Sequence, residues 1–234
     1  ANSSYGTCVC GTWSDGTITW GTPVVFNSGA IDDTPTITAG GNRIHVAYRN
    51  SSGQGCMKSA SISGTTPSFG SEEIWARAGF ASTEYARASN ATNNIEHPST
   101  VYDTTTDRFV SVFPDHGNSE YGTAVVYKIT NAATGAISVG TNVIYASHSS
   151  NPGGTANKTI CADPDTGRVV VVFRNSNDST CKAIVGTVNS GTDVTTWGTA
   201  VAFAGTDNTK HPNVVYDPNV DRVLVTYKNN TTAN

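Results

Sequence analysis

Charge is scarce in this chain. Only 14% of its 234 residues are Asp, Glu, Lys or Arg, and the formal net charge is -4. Lys and Arg form no cluster, which argues against nucleic acid, a partner held mainly through its phosphates. Long apolar runs are missing as well. None approaches the roughly 20 residues of a spanning helix, so no membrane insertion is expected. The opening Ala1-Asn-Ser-Ser has neither a basic segment nor an apolar stretch, so a targeting signal is expected to be absent or already removed. Cysteine is sparse and odd in number: Cys8, Cys10, Cys56, Cys161 and Cys181. Cys8 and Cys10 share one face of a predicted strand, which places them poorly to bridge each other, and no Cys/His spacing matches a zinc site. Most of the five read as small buried hydrophobes. No metal and no cofactor are expected.

What the chain does have is Gly, Ser, Thr and Asn, interrupted by short, regular apolar bursts. That texture suits many short strands joined by polar turns. The bursts repeat. Arg followed by alternating apolar residues and a closing aromatic occurs as Arg43–Tyr48, Arg108–Phe113, Arg168–Phe173 and Arg222–Tyr227. A short strand and a tight turn precede each. The turns read Asp103-Thr-Thr-Thr-Asp, Asp163-Pro-Asp-Thr-Gly and Asp217-Pro-Asn-Val-Asp, with Gly40-Gly-Asn as a shortened first copy. A second hairpin follows in each unit. Its return strand carries a glycine after its first apolar residue, at Gly21, Gly70, Gly140 and Gly198, the mark of a bulge or a close backbone approach.

Four sets of four strands make an all-β fold, a four-bladed β-propeller with four antiparallel strands per blade. The recurring arginines stand 65, 60 and 54 positions apart, and the interval counted through the two termini is 55. A single domain over 1–234 is therefore expected, with blades at about 34–76, 97–146, 157–205, and 211–229 plus 5–26. The N-terminal hairpin (about 5–26) would complete the blade of the C-terminal hairpin (about 211–229) and close the ring. The long crossings between units place the strands beginning at Pro35, Pro98, Lys158 and Pro212 innermost. The Ala-rich crossing from Arg77 to Glu96 has room for a turn or two of helix. All crossings should lie on one loop-rich face, the expected working surface.

Candidate ligand-binding residues gather at the channel mouth on that face: Asp33, Glu96, His97, Asn157, Lys158, Lys210 and His211. His97 and His211 enter the second and fourth blades and should face each other. Trp13 has no aromatic counterpart in the other copies and is the candidate for stacking on a sugar. Trp20, Trp75 and Trp197 recur in register with other apolar residues and read as packing between blades. Arg43, Arg108, Arg168 and Arg222 read as structural, each contacting a turn carboxylate such as Asp103, Asp163 or Asp217. No residue set has the pattern of a catalytic triad or a carboxylate pair, so no catalytic residues are assigned.

Three stretches carry a resemblance: Tyr121-Gly-Thr-Ala-Val-Val, Trp20-Gly-Thr-Pro-Val-Val-Phe-Asn-Ser-Gly and His211-Pro-Asn-Val-Val-Tyr-Asp-Pro. They resemble repeats of tail or capsid-decoration proteins of marine and aquatic bacteriophages, and repeats of bacterial surface proteins. Ser14–Trp20 is similar to the Asp-box turn of sialidases without matching its spacing. The resemblance implies a non-enzymatic structural or adhesion module of a virion or cell surface, extracellular, in an oligomer or assembly. Its partner would be a virion or surface protein, or a glycan. A free soluble lectin-like propeller is the alternative, and a glycosidase-like propeller enzyme the second alternative.

Overall fold

The computed structural model describes residues 5–31, 35–78, 86–88, 97–115, 120–131, 134–149, 158–175, 178–204 and 209–229. Among these residues every regular element is a strand. An opening half-unit holds β1 (Tyr5–Cys8), β2 (Gly11–Ser14), β3 (Thr17–Trp20) and β4 (Val24–Ala30). The first full unit holds β5 (Thr36–Gly40), β6 (Arg43–Arg49), β7 (Gly55–Ser63), β8 (Thr66–Phe69) and β9 (Glu73–Ala78), with β10 (Ala86–Ala88) on its outer edge. The second holds β11 (Ser99–Asp103), β12 (Arg108–Asp115), β13 (Tyr121–Asn131), β14 (Ala136–Val139) and β15 (Val143–Ser149). The third holds β16 (Lys158–Asp163), β17 (Arg168–Arg174), β18 (Cys181–Asn189), β19 (Val194–Trp197) and β20 (Val201–Ala202). A closing half-unit consists of β21 (Lys210–Asp217) and β22 (Arg222–Lys228).

Each full unit is one antiparallel meander in one register. Tyr48 stands opposite Cys56, Phe113 opposite Thr123, and Phe173 opposite Lys182. The fourth strand is broken into two pieces, both paired to the third strand: β8 and β9, β14 and β15, β19 and β20. The break falls at the recurring glycine. The amides of Gly21, Gly70, Gly140 and Gly198 donate to Cys10, Ser59, Val126 and Val185 carbonyls at 2.8, 2.9, 2.8 and 2.9 Å. Glycine is needed there because the next unit's turn comes too close for a Cβ. One at Gly21 would lie 2.6 Å from Thr65, and those at Gly70 and Gly140 would collide with the carbonyls of Thr134 and Asp193.

The first strands of successive units lie side by side, β5 against β11, β11 against β16 and β16 against β21, as expected of innermost strands. Between the sheets the core is aromatic and β-branched. Trp75 is fully buried, donates its indole N–H to the Cys56 carbonyl at 3.0 Å, and packs on Phe113 and Tyr127 of the next unit at 5.3 and 6.5 Å. Val110, Val112, Ala124 and Val126 of the second unit meet Val169, Val171 and Phe173 of the third. Phe26 brings the opening half-unit onto Tyr48, at 5.2 Å between rings. All five cysteines are free thiols: Cys56, Cys161 and Cys181 are buried, Cys8 and Cys10 half-buried.

The fold is all-β and propeller-like, but it departs from the expected closed ring. Among the described residues no ladder joins β22 to β1 or β2, and the end hairpins stand as separate two-stranded sheets. The opening half-unit packs on the first full unit through Phe26, and the closing one on the third through Val214 and Val225. The repeat interval measured through the termini fits one shared unit, but an interval in sequence does not bring two edges together. The crossing expected to hold a helix turn carries β10 instead, parallel to β9. Trp20, expected between blades, is 61% exposed, because nothing among the described residues covers the outer face of its half-unit.

Trp75→Ala is expected to cost about 3–5 kcal/mol in urea unfolding, since it removes a buried indole that two sheets share. Val201→Ala, at an exposed position, should cost under about 0.5 kcal/mol. His45 provides a second test. It is buried, with its ring nitrogens 3.0 Å from the Gly40 carbonyl and 2.8 Å from Ser59 Oγ. Nε2 must therefore donate to the carbonyl, and the neutral ring accepts from the Ser59 hydroxyl. Burial, aided by Arg43 and opposed by the Gly40 bond, holds its pKa below the ordinary 6.5. As pH falls through about 6.5 the unfolded chain takes up a proton that the folded chain refuses, so stability drops. His45→Gln should flatten that part of the stability–pH curve between about pH 7.5 and 5.

Candidate functional site

Among the described residues ionisable side chains gather at two places, the second of which also holds a cleft. The first is the loop-rich rim. His97 stands just before β11, Lys158 opens β16, and Lys210 and His211 open β21, so they fall at equivalent places on three successive inner strands. Lys158 is buried, His97 and Lys210 are half-buried, and His211 is exposed. Both histidines precede proline yet have positive φ, 45° for His97 and 52° for His211. A residue before proline prefers extended backbone, so the chain is strained at both positions. Asp33, Glu96 and Asn157 lie outside the described residues.

The same rim holds residues that sequence reasoning passes over. Asp115 ends β12 and is buried; Glu120, with φ of 59°, opens the return into β13, and its amide donates to the Asp115 carbonyl at 2.9 Å. Two carboxylates thus frame one loop. Their signal is a comparison of loops in register. Asp115 stands where the first and third units carry Asn50 and Asn175, and Glu120 where they carry Gly53 and Ser179. In the third unit Arg174 and Asn175 are buried at this hairpin end. Arg174 donates to Ser179 Oγ at 3.1 Å, and Asp178 receives Thr180 Oγ1 at 2.6 Å and Lys182 Nζ at 2.6 Å. Burial raises the Asp178 pKa, but the Lys182 ammonium and the Thr180 hydroxyl and amide together outweigh it and bring the group to about 2.

The second place is a cleft on the opposite, turn-bearing face between the first and second units, about 490 Å³, lined by Gly40, Gly41, Arg43, Ile44, Ile62 and Tyr102. It continues toward Asp107, Phe109 and Ile129. The shortened turn creates it. Between the second and third units the full-length turns touch, with Thr104 and Thr105 hydroxyls donating to the Pro164 carbonyl at 3.0 and 2.7 Å. The short Gly40-Gly41-Asn42 turn cannot fill the equivalent space. Tyr102 half-covers the cleft, its hydroxyl donating to Asp107 Oδ1 at 2.7 Å and its ring 4.8 Å from Phe109. Burial and the Asp107 carboxylate push the Tyr102 phenol up to about 12, so it remains a neutral donor.

Arg43, Arg108 and Arg222 bond backbone carbonyls, and Arg108 pairs with a carboxylate other than the one expected. Arg108 pairs with Asp193 of the next unit at 2.5 Å and donates to the Thr106 and Asp107 carbonyls, both at 3.0 Å. Arg222 bonds the Val220 and Asp221 carbonyls in the same way, and Arg43 reaches the Ser59 carbonyl. Arg168 is exposed; the Thr166 hydroxyl chiefly holds the Asp163 pKa down, and the charge of Arg168, acting on its expected carboxylate, adds to this. Asp103, Asp163 and Asp217 instead cap their own turns, accepting from the amides of Thr105, Asp165 and Asn219 at 3.0, 3.0 and 2.9 Å. A turn that begins with Asp already has amides pointing at the carboxylate, so Arg108 serves to bridge units. Trp13 is 78% exposed on β2, far from both places in chain topology. Among the described residues no group of three or more His, Cys, Asp or Glu could hold a metal ion.

No protein-family model matches the chain, and no curated protein matches it by sequence. Solved structures do share its fold. An exo-β-1,3-galactanase from Phanerochaete chrysosporium superposes with a TM-score of 0.54 at 11% identity, over 97% of this chain and 48% of that one. The NanB sialidase from Streptococcus pneumoniae gives 0.56 at 14% identity, over 90% and 30%. A protein from Lactobacillus plantarum gives 0.52 at 16% identity, over 98% and 68%. The chain thus spans about half the length of the galactanase and three tenths that of the sialidase. At these identities the likeness is one of fold. It nonetheless corrects the expectation of a non-enzymatic virion or surface module, because the neighbours of stated activity are carbohydrate-active enzymes.

Proposed function

We propose that the chain is a carbohydrate-active, glycosidase-like propeller module whose rim acts on a glycosidic bond. The observation that carries this reading is the pair of acids, Asp115 and Glu120, framing one loop on the face where Lys158 and Arg174 are also buried. Glycoside hydrolysis needs two carboxyl groups, one to protonate the leaving oxygen and one to act as nucleophile or to activate water. A buried acid beside a more open one is the kind of environment that sets two such roles apart. Basic side chains on the same face would orient an acidic or hydroxyl-rich substrate. The fold shared with a galactanase and a sialidase supports the substrate class. His97, Lys210 and His211, at the starts of the inner strands β11 and β21, would form the remaining wall of the site.

A second reading, glycan binding without turnover, is favoured by the turn-face cleft. Tyr102 offers an aromatic face, with Asp107 and Arg43 beside it to bond hydroxyls and Ile44 and Ile62 to cover apolar sugar edges. The two readings separate in one experiment. Released sugar is measured on a panel of aryl glycosides and galactose- and sialic acid-containing oligosaccharides. For any substrate turned over, Asp115→Asn and Glu120→Gln should each lower kcat/KM by about 100-fold or more, and Tyr102→Ala should leave it within about threefold. If no substrate is hydrolysed, or if both acid variants keep full activity, the rim reading fails. Saturable glycan binding lost in Tyr102→Ala would then establish the cleft reading.

A further inference from the structure

The two half-units at the ends of the array are complementary halves of one repeat. The closing half-unit supplies a first and a second strand, β21 and β22. The opening half-unit supplies the third, β1 and β2, and the fourth, β3 and β4. Tyr5-Gly6-Thr7 repeats Tyr121-Gly122-Thr123 of the third strand β13, and Gly6 meets the Phe26 ring as Gly122 meets Tyr145 and Gly55 meets Trp75. The three full units therefore fix how β22 would pair with such a strand. Tyr227 falls opposite Thr7, Thr226 opposite Cys8, Val225 opposite Val9 and Leu224 opposite Cys10, as Phe113 and Val112 stand opposite Thr123 and Ala124.

Positions buried inside the array are open at its ends. Val110 and Val125 are 0% exposed; their counterparts Leu224 and Val9 are 63% and 44% exposed. Val215 on β21 and Tyr5 on β1 continue the two apolar faces. The middle of β22, Val223-Leu-Val-Thr-Tyr227, has no charge or proline to blunt the sheet edge, and the one register shift of its hairpin lies opposite Tyr227, leaving Val223–Thr226 in regular pairing. The glycine series adds an independent observation. Gly21, Gly70 and Gly140 are each crowded by the next unit's turn, whereas Gly198 meets, among the described residues, only its own unit's Val185 carbonyl at 3.6 Å. Its slot stands ready for a turn that this chain carries at its other end, Asp15-Gly16. Arg168, the counterpart of Arg108, is exposed on the same side, and Asp15 belongs to the turn equivalent to that of Asp193.

We infer that β22 of one copy pairs with β1 and β2 of a second copy, completing a four-stranded unit across two chains. The joint buries Leu224 and Val215 under the first full unit of the second copy, and Val9 under the third unit of the first. It seats the Asp15-Gly16 turn on Gly198 beside Arg168. The occupant is a second copy because the missing half of each edge is the half present at the other, in sequence, register and turn. Within one chain the opening half packs on the first full unit and the closing half on the third, and among the described residues no strand pairing joins them. Such an interface is head-to-tail, so it propagates into a ring or an open chain of copies.

Light scattering over a concentration series tests this, with Val9→Asp and Leu224→Asp as probes. Both positions are exposed, so folding should be kept, which circular dichroism verifies. The wild-type chain should show a mass that rises with concentration to at least twice the monomer's. Each variant alone should remain monomeric, having lost one of its two edges. An equimolar mixture should form a dimer and stop there, since only the intact β22 of Val9→Asp and the intact β1 of Leu224→Asp can meet. A wild-type chain that stays monomeric at high concentration overturns the inference, as closure of each chain on itself would give that result. So does self-association of either variant alone, or a mixture that stays monomeric.

Discussion

Each unit of this protein is a sheet with two apolar faces, and neither can be left in water. In β12 the residues Phe109 and Phe113 face the unit before, while Val110 and Val112 face the unit after. A single antiparallel sheet with one wet side would alternate polar and apolar. These strands do not, so a lone unit cannot be stable and each must be sandwiched by neighbours. The stacking sets the rest. It determines why the rings of Trp75, Phe113 and Tyr127 meet between sheets, why the fourth strand breaks at glycine, and why Arg108 reaches across to Asp193. It also decides where the structure is incomplete, since only an array that returns to its start can cover every face.

The same geometry separates scaffold from chemistry. Strand bodies are committed to packing, so variation is left to the two ends. On the turn-bearing end, one shortened turn is enough to open a cleft beside Tyr102, because the other turns brace each other through Thr104, Thr105 and Pro164. On the loop-bearing end the hairpins carry Asp115, Glu120 and Arg174, each in a different chemical setting although their strands share one register. A repeat fold places different side chains at equivalent positions around one rim, and this is how a rim collects mixed acids and bases.

The repeat is legible in the sequence because its signals are local. Arginine at a strand start, an aromatic at its end, an Asp-led turn between and a glycine in the return strand specify the strand order and the inner strands. The positions of Trp75 and Trp197 follow from that register. Closure is not legible, because a repeat interval is a distance along the chain and says nothing of where the two end hairpins lie in space. Trp20 departs from expectation for the same reason: its register is that of Phe69, but among the described residues nothing covers the outer face of its half-unit. At the site, His97, Lys158, Lys210 and His211 are readable from their place at the start of inner strands. Asp115 and Glu120 emerge only when the loops are compared in register, since the burial of Asp115 arises from packing that no spacing motif records. Arg108 pairs with Asp193 and not with the expected Asp103, which is satisfied by an amide of its own turn, whereas Arg168 does act on Asp163.

A face of this sheet stack is stable only when another unit covers it, and among the described residues β22 lacks such cover within its own chain. Hydrogen exchange of backbone amides at several protein concentrations measures this most directly. Strong, concentration-independent protection is expected for Phe109–Phe113 in β12. Weak protection is expected for Val223–Tyr227 in β22 when dilute, rising as the protein is concentrated. Protection in Val223–Tyr227 that is as strong as in β12 at every concentration would contradict this, because the edge would then be paired within a single chain.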